Sequence, residues 1–191
     1  MARPVIHDAS LRAELLAATA DLVDREGPAR VTLRDVATAA GTSTTAVYSL
    51  FGGKSQLLTA VVDDGFRSFR DSQAAAAPDG LRALGLAYRA WALEHQALYR
   101  LMFGGALATY VDCRPSPDAA ADAMKPLMEA VAAAQSAGVF LVAPVEAVAT
   151  AIWGQVHGLV GLELAQVGSS GTDWEAVYES ALDAVARGWG A

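Results

Sequence analysis

The stretch TLRDVATAAGTSTTAVYS, from Thr32 to Ser49, decides how this chain is read. Thr32 stands before Leu33, Val36, Ala37 and Ala40, apolar positions at helical spacing, and Asp35 follows it by three residues. A hydroxyl at the start and a carboxylate in the first turn form a capping-box-like opening, which the helix dipole also favours. Gly41 then supplies the residue type that turns left-handed without steric cost and stops a helix. Thr42 and Ser43 can cap a further short helix through about Ser49, with Ala46, Val47 and Leu50 facing inward. Two short helices joined by a tight turn have the proportions of a helix-turn-helix, a unit that lays its second helix in the major groove of DNA.

Working outward, Leu11, Leu15, Ala18 and Leu22 share one helical face behind Ser10, a candidate N-cap, and Gly27-Pro28 ends that first helix. Beyond Gly52-Gly53 a longer helix is expected from Lys54 to about Ala76, buried through Leu57, Leu58, Val61, Phe66 and Phe69. Pro78-Asp79-Gly80 marks a boundary. Helices are then expected from about Leu81 to His95, Gln96 to Phe103, Asp118 to Ser136 and Val145 to Val167, with Thr172 capping a last one to about Arg187. An irregular stretch carries Gly104-Gly105 and Arg114-Pro115, and Gly138 and Pro144 flank an apolar connector. The expected fold class is all-α with about nine helices: a helix-turn-helix domain over residues 1–54, a connecting helix over 55–78, and a helical domain over 79–191 that binds an effector and dimerises.

Composition agrees with this class. Hydrophobic residues make up 53% of the 191, led by Ala, Leu and Val, which favours helices over sheets. Net charge is −7, yet the excess is not uniform. Residues 1–70 hold eight basic and eight acidic groups, and the remainder holds six basic and thirteen acidic ones, so only the first part is electrostatically suited to phosphate. The uncharged runs Ala130 to Val145 and Ala147 to Leu162 are shorter than the roughly 20 apolar residues a membrane span needs, and residues 1–9 show no signal-peptide pattern. A cytoplasmic protein is expected. Cys113, the single cysteine, excludes an internal disulfide and any cysteine-based zinc cluster.

On the second helix of the helix-turn-helix the side chains expected to face DNA are Thr42, Ser43, Thr44, Thr45, Tyr48 and Ser49. Hydroxyls bond phosphate oxygens and several base-edge groups, and a Thr methyl can meet a thymine methyl. No Arg, Asn or Gln stands there for bidentate base reading, so Arg34 and DNA shape would share the work. Lys54 adds a cation at a helix N-terminus suited to phosphate, and Arg3 and His7 are placed to form a mobile arm. The run GTSTTAVYSLFGGK from Gly41 to Lys54, preceded by TLRDVA from Thr32 and by Ala40, resembles the DNA-binding domain of the tetracycline-repressor (TetR) family, over about Ala9 to Val62. That resemblance implies that Thr32, Thr42 to Thr45, Tyr48 and Lys54 meet DNA, with Tyr48 and Lys54 mainly on phosphate. Many relatives carry Lys or Gly where this chain has Thr44 and Thr45.

The second half, Leu81 to Ala191, resembles family members whose eighth helix carries a Trp, His, Gly pattern, here Trp153, His157 and Gly158. The resemblance implies that the last two helices pair with their copies in a symmetric four-helix homodimer. Trp174, Tyr178, Ala181 and Val185 form one stripe of the last helix, which Val177 and Leu182 widen, and Gly154, Gly158 and Gly161 permit close helix approach. Candidate pocket residues are Tyr88, Trp91, His95, Tyr99, Met102, Phe103, Met124, Met128, Trp153 and His157, a set suited either to core packing or to a hydrophobic or aromatic effector. No nucleophile elbow, phosphate-binding Gly loop or His-Glu-x-x-His motif is present, so neither an enzyme nor a cofactor is expected. The expectation is a ligand-responsive repressor released from a palindromic operator. A helical adaptor without specific DNA binding is the alternative that the uncharged recognition helix suggests.

Overall fold

The computed structural model describes residues 5–103 and 116–191, with the backbone alone for 5–8. Arg3, Gly104-Gly105, Cys113 and Arg114-Pro115 lie outside the described residues. The described chain forms nine α-helices and no strand: α1 (Val5–Glu26), α2 (Leu33–Ala39), α3 (Thr44–Phe51), α4 (Lys54–Ala76), α5 (Leu81–Glu94), α6 (Gln96–Phe103), α7 (Pro117–Ser136), α8 (Val145–Leu164) and α9 (Trp174–Trp189). A single 3-10 turn, Ala77–Asp79, separates α4 from α5. The chain divides into two compact units, Met1–Arg67 with His95–Ala120 and Ser68–Glu94 with Ala121–Ala191.

In the first unit α1 packs against both α2 and α6, and α2 against α3. The capping box is complete. Thr32 Oγ1 accepts from the Asp35 N–H at 3.3 Å while the Asp35 carboxylate accepts from the Thr32 N–H at 3.0 Å. Gly41 turns the chain at φ 61°, where a side chain would be strained. Ser43 caps α3 by accepting from the Ala46 N–H at 3.2 Å, and α3 runs on to Phe51 before the left-handed Gly52 ends it. Val47 and Phe51, one helical turn apart, are the buried side of α3. They join a core of Leu15, Val36, Leu57, Leu58, Val61 and Val62. Asp24 and Arg100 tie α1 to α6 through a two-point fork of 2.6 and 2.7 Å, and the guanidinium holds the Asp24 carboxyl below the usual carboxylate range. Phe103 packs on Phe66 and Tyr99, with ring centroids 5.7 and 5.0 Å away.

Two starting points differ from expectation. α1 begins at Val5, so Ser10 is not its N-cap. Ser10 lies inside the helix, where its hydroxyl donates to Glu14 at 3.0 Å, an i to i+4 contact that removes it from capping. His7, expected on a mobile arm, falls on this helix. At α9 the cap is Asp173, which accepts from the Ala176 N–H at 3.1 Å, rather than Thr172. The Thr172 hydroxyl instead donates to the Ser169 carbonyl at 2.8 Å and closes the preceding turn.

In the second unit α5 packs on α8 and α9, which pack on each other. The buried stripe of α9 is Tyr178, Leu182 and Val185. Tyr178 is 2% exposed and its hydroxyl donates to the Gly85 carbonyl at 2.8 Å, which satisfies a polar group that could not otherwise enter this core. Burial raises its pKa well above the ordinary tyrosine value, so it stays a donor. Opposite it, Gly85 leaves room for Leu182, whose Cδ2 would stand 2.4 Å from a Cβ at that position. Arg89 and Glu163 form a second fork, 2.8 and 2.7 Å, joining α5 to α8. The connector after Gly138 is non-helical and lies against the chain end, with Leu141 N–H donating to the Trp189 carbonyl at 2.8 Å. Around it Val131, Phe140, Val148, Ala149, Ile152 and Val185 form the core.

Replacing Val47, fully buried, by Ala should lower unfolding free energy by about 2 kcal/mol through lost burial and the void left behind. Tyr178→Phe should cost about 1 kcal/mol through the lost buried hydrogen bond. Urea titration of each variant checks both, and wild-type midpoints would contradict the packing described.

Candidate functional site

The first candidate surface is the N-terminal side of α3. Because Val47 and Phe51 are buried, the positions a half-turn away, Thr45, Tyr48 and Ser49, face solvent on one side of the helix. Tyr48 is 57% exposed, unusual for a side chain with so much apolar area. Ser43 at the cap is exposed, and Thr42 and Thr44 are half-buried beside it. The structure therefore brings five of the nine DNA-facing candidates onto one short helix and its cap, with Thr42 directly before the cap.

The other three stand nearby in sequence with distinct constraints. Arg34 is exposed on the first turn of α2. The Thr32 hydroxyl donates to Asp35 Oδ2 at 2.6 Å while accepting from the Asp35 N–H, so its proton is engaged inside the capping box. The Thr32 hydroxyl and the Thr32 N–H, both donating to Asp35 Oδ2, hold the Asp35 carboxyl below its ordinary pKa. Lys54 opens α4, and its ammonium donates to the Ala29 carbonyl at 3.2 Å. One basic residue was not singled out from sequence: the Arg12 guanidinium lies over the Phe51 ring at 4.7 Å, a cation-π contact that braces α3 from α1. Its sequence spacing from Phe51 carries no signal, because the contact depends on how two helices cross.

The second candidate site lies wholly within the second unit. It is a cavity of about 500 Å³, within the usual range of small-molecule sites. Phe69 and Gln73 of α4, Leu84, Gly85 and Tyr88 of α5, Ile152, Trp153 and Val156 of α8, and Leu182 and Val185 of α9 line it. From α7 come Ala123, Met124, Leu127, Ala130 and Ala134, with Ala137 in the turn that follows it, and these mostly small side chains leave the space. Tyr88 shares a hydrogen bond of 2.9 Å with His157 Nδ1, and burial lowers the His157 pKa, so the ring is neutral at neutral pH. Phe69 meets Tyr88 and Trp91 edge-on at 5.2 and 5.3 Å, and the Trp91 indole N–H donates to Ser68 at 3.1 Å.

Of the ten pocket residues expected from sequence, Tyr88, Met124 and Trp153 line this cavity. His157 touches it indirectly, through Tyr88 and through its ring contact with Trp153 at 5.6 Å. Trp91 and Met128 pack behind the lining. His95, Tyr99, Met102 and Phe103 belong to the first unit, where Tyr99 and Phe103 pack on each other. The ten do not form one cluster. The reason is that the chain between α5 and α6 passes from one unit to the other at Glu94–His95, a break that aromatic spacing does not reveal. What sequence reasoning passed over was the alanine series Ala123, Ala130, Ala134 and Ala137, which recurs at helical intervals and marks a wall of small side chains.

Comparison with known proteins agrees with this layout. Residues 15–61 match the family described as bacterial regulatory proteins, tetR family, and residues 81–185 match the tetracyclin repressor-like C-terminal domain. No curated protein matches the chain. Among solved structures, SCO4313, described as a regulatory protein, is 28% identical with a TM-score of 0.78, covering 96% of this chain and 98% of its own. A protein of unknown function from Rhodococcus sp. RHA1 is 26% identical with a TM-score of 0.77 over 95% and 96% of the two chains. A TetR family transcription regulator from Marinobacter aquaeolei VT8 shares the fold at 22% identity and a TM-score of 0.76, over 96% and 97%. With a helix-turn-helix built as the sequence requires and family matches over both halves, this chain belongs to the tetR family of bacterial regulatory proteins, which are DNA-binding transcription regulators.

Proposed function

We propose that this chain is a ligand-responsive repressor, acting as a homodimer on a near-palindromic operator and released from it by a hydrophobic or aromatic small molecule. The observation that carries the reading is the solvent-facing hydroxyl side of α3, with Tyr48 at its centre, held out by buried Val47 and Phe51. Ser43 and Thr45 bond phosphate or base edges, Thr42 and Thr44 flank them, and Tyr48 and Ser49 follow the backbone. Arg34 and Lys54 add charge, Lys54 by exchanging the Ala29 carbonyl for a phosphate oxygen. Thr32 acts through Asp35 and the helix start more than by direct contact.

Residues 1–54 then form the reading head, 55–78 the connecting helix, and 79–191 the effector and dimerisation half. An effector in the cavity acts by preferring one arrangement of the dimer. DNA affinity falls only as far as that preference reaches. Gln73 and Phe69, in the wall, lie on the helix that Lys54 opens, which gives the effector a continuous element to bias.

Dimerisation through α8 and α9 is supported by an exposed face of small residues. Ala147, Ala151, Gly154, Gly158 and Gly161 are exposed on α8, and a Cβ added to any of the three glycines would meet nothing within 4 Å. A helical glycine costs about 1 kcal/mol relative to Ala, and nothing within the described chain requires these three. Leu162 and Val177, 44% and 39% exposed, extend the face with apolar area.

Two substitutions test this function on a duplex recovered from a random pool. Tyr48→Phe should weaken binding about threefold, alike for all sequences bound, as loss of one phosphate contact would; unchanged affinity removes Tyr48 from the interface. Gly158→Arg should leave a folded monomer whose DNA affinity falls at least about tenfold as the second half-site contact is lost. Sedimentation with circular dichroism checks it, and an intact dimer of this variant would rule out the α8 face.

A further inference from the structure

The cavity wall has a charge pattern that narrows the effector beyond its being hydrophobic, and this step rests on the reading of the cavity as the effector site. Each polar wall group whose bonding is seen already has an internal partner. With its amide turned so that oxygen and nitrogen each meet a complementary group, Gln73 donates to the Leu84 carbonyl and accepts from the Tyr88 N–H, both at 3.2 Å. The Tyr88 hydroxyl is bonded to His157 Nδ1 at 2.9 Å. At the rim Arg82 meets Asp183 at 2.5 Å and Glu179 at 3.5 Å. Among the described residues, no buried side-chain nitrogen or oxygen lacks a partner.

Among the described lining residues a carboxylate entering this space would find one cation, Arg82, already held by two carboxylates that repel the newcomer. An ammonium would have to draw a carboxylate away from Arg82 and break a pair already made. Deeper in, either ion would lose its hydration to leucine, alanine, valine and phenylalanine side chains. An uncharged molecule meets none of these penalties. We infer that the cavity takes an uncharged, hydrocarbon-rich ligand and excludes carboxylates of the same hydrocarbon, with the Arg82, Asp183 and Glu179 triad setting the exclusion.

The test uses 1-decanol, decylamine and decanoate as probes on the full chain at neutral pH, with binding read by calorimetry. Decanol should bind at least tenfold more tightly than decanoate, with decylamine between them. The double variant Glu179→Gln, Asp183→Asn leaves Arg82 without its carboxylates; it should raise decanoate affinity at least fivefold and leave decanol unchanged. Decanoate or decylamine binding as tightly as decanol to the native chain would overturn the inference, as would a double variant that leaves decanoate unchanged. The site itself is checked separately with Ala134→Leu and Ala130→Leu, which narrow the cavity and should weaken decanol binding. If decanol binds but neither variant affects it, the reading of the cavity fails, and the inference with it; absence of binding by all three probes overturns the hydrocarbon ligand.

Discussion

An eight-residue helix has no stability of its own in water, so the burial of Val47 and Phe51 is the contact on which the proposed DNA-facing surface depends. Each contributes roughly 1.5–3 kcal/mol when taken out of water, and between them they fix which way every other α3 side chain points. Ser43 accepts from the Ala46 N–H in the first turn, Gly41 allows the sharp entry, and Gly52 closes the end. Arg12 over Phe51 adds a lateral brace. With the buried side settled, the hydroxyls and Tyr48 need no further positioning. The surface proposed to meet DNA is the side of α3 that the core does not use.

The second unit solves a different problem, which is keeping a space open within a packed interior. Large side chains hold its edges: Tyr178 is pinned to the Gly85 carbonyl, and the Arg89–Glu163 fork joins α5 to α8. Small ones along α7 fail to fill the middle. Cores generally close such voids because unfilled space forfeits dispersion contacts. A part-open cavity of this size, bounded by bonded polar groups and aliphatic walls, is the feature on which the proposed effector site rests.

Much of this was legible in the residues. Helix starts with a dedicated cap, such as Thr32 with Asp35, and stops with glycine, such as Gly41 and Gly52, are local chemistry, and the α4 and α6 limits follow from the same signals. The starts of α1 and α9 were harder, because serine and threonine also bond within or before a helix: Ser10 serves Glu14, and Thr172 serves Ser169. The α3 surface is readable because one helix defines it. The cavity was legible only in part. Aromatic and methionine positions are conspicuous in sequence, yet Tyr99 and Phe103 pack in the first unit, while the wall depends on inconspicuous alanines and leucines from five helices. Contacts such as Arg12 on Phe51, or Tyr178 on Gly85, join residues far apart along the chain and leave no periodic trace.

The most direct measurement is selection of duplexes by the purified chain from a random pool, at a low and a physiological salt concentration. A two-fold symmetric reading of DNA by α3 predicts recovery of a palindromic motif with half-sites about one helical turn, or roughly 34–36 Å, apart, bound less tightly as salt rises. Recovery of no motif at either salt, or of a single unrepeated half-site, would contradict it.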